Sequence, residues 1–198
     1  MTETNMNTSN PYSGDRKPGT VGLPLPGVEV RICAQGTANP LPASETGMIE
    51  VRGPNVFKGY WGMPEKTAAE LRADGWFITG DLVRRDAGGY VSIVGRDKDL
   101  VISGGYNIYP REVEEVLDAQ PGVLESAVIG VPHSDMGEGI VADGMAPDEA
   151  ALRDAVADQP ACFKQPRQYV FVQALPRNTM GKVQKAVLRR LHADTFGG

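Results

Sequence analysis

Cysteine is almost absent from this chain. Where it occurs, at Cys33 and Cys162, no second cysteine or histidine stands at a metal-ligand spacing. A disulfide framework and a structural zinc site are therefore excluded, and a reducing, cytoplasmic setting fits. No apolar run approaches the roughly 20 residues that span a bilayer, and the opening MTETNMNTSN lacks the basic and apolar regions of a secretory signal. A basic excess is missing too: 20 Lys and Arg against 25 Asp and Glu give a formal charge of −5. That argues against a surface tracking nucleic-acid phosphates. There is no internal repeat and no low-complexity tract, so neither nucleic acid nor a membrane is an expected partner.

What is present is the composition of a globular chain, 198 residues with 41% hydrophobic and 23% charged. Its 24 glycines and 15 prolines, denser in the first half, predict short strands joined by turns. Residues 1–19 read as a polar loop or tail. Strands are expected at 28–32, 47–52, 76–79 and 90–94. A turn at 86–89 joins 82–85 to 90–94, and one helix runs from Pro64 to about Ala73 with Gly75 as its stop.

Beyond Arg96 to Asp99 the pattern changes to helices alternating with strands. Helices are expected at 110–119 (Val113, Val116 and Leu117 inward), 149–157 (Leu152, Ala155 and Val156 inward) and 182–192, with strands at 126–131 and 169–172. The division is 1–95, a joint at 96–99, and 100–198, the last part α+β.

Four stretches carry candidate chemistry, each beside a plainer reading. In GRDKDLVISGGYNIYP, residues 95–110, mixed charges precede two glycines and a helix-opening proline: a joint with a close approach at Gly104 and Gly105, or simply a hairpin before a helix. Thr2, Glu3 and Thr4 offer hydroxyls beside a carboxylate, suited to phosphate oxygens and a magnesium ion, or form a solvated terminus. Asp81 follows an apolar run at a strand end, where it can accept both hydroxyls of a ribose or cap a turn. Residues 177–182 put Lys182 on an exposed, mobile loop, where it can neutralise charge on a phosphoryl or carboxylate oxygen or merely solubilise. His133 reads as a turn residue rather than a base. Lys185, Arg189 and Arg190 read as a solvated helix face or as contacts for the phosphates of CoA.

In this order and spacing the stretches resemble the C-terminal part of the adenylate-forming superfamily of acyl-CoA synthetases, adenylation domains and luciferases. The likeness runs through Thr2-Glu3, GMIEVRGPNVFKGYW at 47–61, GWFITGDL at 75–82, GRDKDLVISGGYNIYPREVE at 95–114, ESAVIGVPH at 125–133 and LPRNTMGKVQK at 175–185. The run TETNMNTSNPY looks most like malonyl-CoA and methylmalonyl-CoA synthetases.

The resemblance implies an α+β fold: the strand-rich, distorted barrel-like end of a large N-terminal domain, then a small mobile α+β C-terminal domain. It implies ATP, Mg2+ and CoA as ligands, Thr2 on the adenylate phosphate, Glu3 on the metal, and Asp81 with Arg96 on the ribose. Lys98 becomes the hinge and Lys182 the adenylation lysine. Gly104, Gly105 and Tyr106 become the loop beside the CoA arm, and Met6 lines the acyl pocket or packs.

The family's Gly-rich phosphate loop precedes the motif at which this chain begins. The sequence therefore reads as a C-terminal fragment of an ATP-dependent acid:CoA ligase, inactive alone or dependent on a separate N-terminal half. Alternatives are a non-catalytic interaction module, or adenylation with a carrier-protein thiol as acceptor. A shortened segment at 140–146, before a helix beginning near Pro147, is expected to leave an unpaired sheet edge.

Overall fold

The computed structural model describes residues 1–144, 149–157 and 164–196. The chain divides into two compact units, Met1–Asp97 and Lys98–Gly198. No described helix is long and apolar enough to cross a membrane.

In the first unit, β3 (Glu29–Cys33), β4 (Thr46–Arg52), β5 (Phe77–Arg85) and β6 (Val91–Arg96) form an open antiparallel sheet in that order. It does not close into a barrel. Alternation places Ile32, Ile49, Val51, Phe77, Val83 and Val91 on one face, where they form the core. The opposite face is polar at its centre. Glu50, fully buried, lies directly across from Arg31 in the β3–β4 register and takes a second guanidinium from Arg72, at 2.6 Å each. Arg31 and Arg52 also lie over the Trp76 ring, at 4.2 and 4.7 Å from its centre. A buried carboxylate needs such pairing to stay charged.

The β5–β6 hairpin follows the expected pattern, with Asp86 Oδ1 accepting from the amides of Gly88 and Tyr90 in its turn. Two expectations fail here. Asp81 lies inside β5, not at a strand end, because the strand continues past Gly80 through a bulge at Leu82/Val83. Residues 1–19 are not a loose tail either. β1 (Thr8–Ser9) pairs with β2 (Leu23–Pro24), and Thr4 is fully buried. Helix α1 spans Pro64–Glu70, with proline in its first turn.

The second unit opens with a hairpin, β7 (Val101–Ser103) and β8 (Tyr106–Ile108), followed by α2 (Pro110–Asp118). β9 (Ser126–His133) and β10 (Gly137–Gly144) form a second hairpin, α3 spans Glu149–Ala157, β11 Gln168–Phe171 and α4 Lys185–Leu191. β9 is buried on both sides. Val128 faces the cluster of Val113, Leu117, Leu152 and Tyr169, while Ala127, Ile129 and Val131 join the cluster containing Leu175 and Leu188. A continuous apolar run is what such a two-sided strand requires.

Within the described part of the shortened segment β10 is not a bare edge, since it pairs with β9 along its length and with β11 over Val141–Gly144; among the described strands β9 and β11 each pair with β10 alone. The last helix starts three residues later than expected, because Val183 is drawn into a bridge with Arg177. Lys185 and Arg189 are not a solvated face: they pair with Glu114 at 2.6 Å and Asp99 at 2.8 Å, while Arg190 is exposed. The expected roles of Ala155, Val156, Cys162 and a helix start near Pro147 lie outside the described residues.

Candidate functional site

The register of the β5–β6 hairpin sets Asp81 directly opposite Arg96, and their side chains meet with Nε 2.6 Å from Oδ1. Oδ2 has no partner among the described residues. The Asp81 side chain is 18% exposed. Burial pushes its carboxyl above the ordinary aspartate range, while the Arg96 guanidinium and the chain's terminal ammonium pull the other way.

The turn carrying Thr2 and Glu3 is held by the loop between β4 and α1. Asn55 donates from Nδ2 to the carbonyl of Thr4 at 2.7 Å and to Asn7 Oδ1 at 3.0 Å, and Asn7 in turn donates to the Thr4 hydroxyl at 2.8 Å. Phe57 N donates to the Glu3 carbonyl at 2.8 Å. Asn55 Oδ1 is left buried without a partner. A flip of the amide would bring that oxygen against two acceptors, so the orphan atom is the lesser cost. Gly53 is needed beside it, because a Cβ there would lie 2.7 Å from Oδ1.

Thr2 is exposed, and Glu3 is half-buried with the Tyr60 hydroxyl 3.3 Å from its Oε1. Among the described residues no three acidic, histidine or cysteine side chains gather as a metal cluster. A magnesium ion at Glu3 would draw its remaining ligands from phosphate oxygens and water, which suits a cation that uses one or two carboxylates plus substrate. Thr2, Glu3 and Asp81 thus offer oxygen atoms in the first unit, and Met6 is 60% exposed.

The second unit carries the other expected residues at exposed tips. Gly104 and Gly105 make the two-residue turn of the β7–β8 hairpin with φ of +56° and +81°, a conformation open to glycine at both positions. Tyr106 follows on the strand, 55% exposed. Lys182 is exposed and forms no ion pair among the described residues. Its loop is tied down rather than loose. Asn178 Oδ1 accepts from the amides of Met180 and Lys182 at 3.0 Å, and Arg177 donates to the Gly181 carbonyl at 2.6 Å and to Glu125. Lys98 is exposed in a single 3-10 turn, Asp97–Asp99, that spans the boundary of the two units. His133 ends β9, where Nδ1 accepts from the Asp135 amide at 3.2 Å.

Sequence reasoning assigned no role to Asn55, Phe57, Tyr60 or Glu70. The signal lay in the GPNVFKGYW run, whose glycines and aromatics are more than a turn requires.

Comparison with known proteins takes in Thr2, Glu3 and Lys182 within matched family models, but not Asp81, Arg96, Lys98 or residues 104–106. The AMP-binding enzyme model matches residues 1–61, and the AMP-binding enzyme C-terminal domain model matches 112–182. The chain is 42% identical to a 2-succinylbenzoate–CoA ligase of Geobacillus kaustophilus over 98% of its own length and 41% of that protein's. It is 42% identical to a long-chain-fatty-acid–CoA ligase of Bacillus subtilis, over 86% and 31%. Among solved structures, ATP-bound MatB from Rhodopseudomonas palustris shares 59% identity with a TM-score of 0.93, covering 99% of this chain and 40% of that one. Apo MatB superposes at 0.74. The chain therefore spans about two fifths or less of the relatives it matches.

Proposed function

We propose that this chain, which belongs to the AMP-binding enzyme family, supplies the nucleotide-holding residues and the mobile lysine of an ATP-dependent acid:CoA ligase acting on malonate or methylmalonate. In the first step a carboxylate oxygen attacks the α-phosphorus of ATP. The bond to pyrophosphate breaks, and an acyl-adenylate remains. In the second, the thiolate of CoA attacks the acyl carbon, AMP leaves, and a thioester forms.

Asp81 accepts the ribose hydroxyls through Oδ2 while Arg96 holds Oδ1. Thr2 donates to the α-phosphate, and Glu3 would hold Mg2+, which would screen the phosphate charge. Lys182 brings its ammonium between the incoming carboxylate and that phosphate, two anions that repel each other without it. Thioester formation instead presents Gly104, Gly105 and Tyr106, where the two glycines leave room for the pantetheine arm beside the exposed tyrosine. Lys98 is the pivot between the two presentations. The scores of 0.93 and 0.74 for two structures of one homologue support the existence of more than one arrangement in that protein.

The observation that carries the reading is the contrast between a paired, part-buried Asp81 and an exposed Lys182 that forms no ion pair among the described residues. The choice of acid is supported by the TETNMNTSNPY run and by 59% identity to the malonyl-CoA synthetase MatB, against 42% for the ligases of 2-succinylbenzoate and long-chain fatty acids.

A hybrid in which this chain replaces the matching C-terminal two fifths of MatB tests it. Malonate- and CoA-dependent release of AMP is expected. A soluble, folded hybrid without turnover would move the chain to the class of interaction modules.

A further inference from the structure

Helix α1 buries none of its residues, so burial in a core does not explain its position. It is held through Tyr60. Thr67 Oγ1 accepts from the Tyr60 amide at 2.9 Å, and Glu70 Oε2 accepts from the Tyr60 hydroxyl at 2.6 Å. The ring stands edge-on to Phe57, with centres 4.8 Å apart, and carries Lys66 Nζ 4.0 Å from its centre. Phe57 is also the residue whose amide holds the Glu3 backbone. Loop, helix and the Thr2–Glu3 turn thus meet at one phenol.

That phenol has one proton and two carboxylates beside it. Carboxylates only accept, so the proton serves one of them at a time. The 2.6 Å contact to Glu70 is that of a charge-assisted O–H···O bond, whereas 3.3 Å to Glu3 lies beyond the usual range. The proton belongs to Glu70. Glu3 has no cationic side chain paired with it among the described residues.

We propose that Tyr60 is a positioning residue for Glu3: by committing its proton to Glu70, it packs beside the Glu3 carboxylate while leaving those oxygens free for a divalent cation. The inference rests on the reading of Glu3 as the cation holder. Glu70 acts as the sink that keeps the phenolic proton off Glu3. Without Glu70 the hydroxyl turns to Glu3 and competes with the metal.

The test titrates the 198-residue chain, labelled with 13C in its methionine methyls, with the Mn2+ complex of ATP, whose phosphate oxygens supply the remaining ligands. Paramagnetic broadening at Met6 reports the ion near Glu3, and buried Met48 reports the fold. Glu70→Ala is expected to raise the concentration of that complex needed for half-broadening by about 10-fold, the low end for a residue supporting a metal ligand. Adding Tyr60→Phe removes the competing proton and moves the value back towards wild type. A merely structural role predicts the reverse, a double variant worse than the single.

No shift with Glu70→Ala, or no recovery in the double variant, overturns the proposal. Should Glu70→Ala disturb the Met48 signal, Glu70→Gln carries the same expectation in a gentler form. Glu3→Gln is the separate control. If it leaves the broadening at Met6 unchanged, the reading of Glu3 itself fails, whatever Tyr60 does.

Discussion

The two units treat their charged residues in opposite ways. In the first, the functional carboxylates are held: Asp81 by Arg96, Glu3 between a backbone bond and a phenol, and beneath them Glu50 is buried between two guanidinium groups. In the second, several cations are paired, while Lys182, like Arg167 and Arg190, is exposed and forms no ion pair among the described residues. Lys164, Arg177, Lys185 and Arg189 each have a carboxylate. On the proposed function the first unit is a receptacle whose geometry is set before a ligand arrives, and the second presents an exposed charge and a bare glycine turn for delivery to it.

The largest test of that contrast is Glu50→Ala, which strands Arg31 and Arg72 without their carboxylate. A loss of about 3–5 kcal/mol in urea unfolding is expected, as for breaking a buried pair. Lys182→Ala should leave stability within about 0.5 kcal/mol, because nothing in the fold depends on its charge. An equal loss from both would erase the distinction between the units.

Next comes Asp81→Asn, for which the sign follows from the raised carboxyl. The folded state binds this proton more tightly than the unfolded chain does. Stability therefore falls as pH rises through the window just above the ordinary aspartate value, and the ionised group costs stability at neutral pH. The variant should flatten that part of a stability–pH curve measured from pH 4 to 7. In the MatB hybrid it should also weaken ATP binding about 10-fold, the scale of one hydrogen bond to a charged group.

Gly105→Ala is smaller. A non-glycine residue at φ +81° costs about 1–2 kcal/mol, read as a lower melting temperature of the second unit. The smallest effect belongs to Lys17→Ala, which removes a surface partner of Asp86 and should leave the unfolding midpoint unchanged within error.

Much of this was legible in the chain because local chemistry and tertiary demand agreed. The Asp86 turn, the proline opening α2 and the two-faced burial of β9 follow from residue type and spacing. The resemblance supplied the residues of the candidate site, which periodicity alone could not connect. What was missed depended on contacts distant in sequence. Thr4 reads as part of a polar tail, yet Asn55, 51 residues away, buries it. Lys185 and Arg189 read as solvent-facing by helical spacing, but Glu114 and Asp99 claim them across the unit. Tyr60 looked like one aromatic in a turn-rich run, and only the fold brings Glu3 and Glu70 to its hydroxyl.

The most direct measurement separates the two half-reactions in the MatB hybrid carrying Lys182→Ala. Malonate-dependent exchange of pyrophosphate into ATP should fall by about 10²–10³-fold, the effect of removing a preorganised charge from a transition state. Transfer of preformed malonyl-adenylate to CoA should be unchanged. Exchange that survives intact, or an equal fall in both half-reactions, would contradict the account of Lys182 as the free charge delivered to a fixed receptacle.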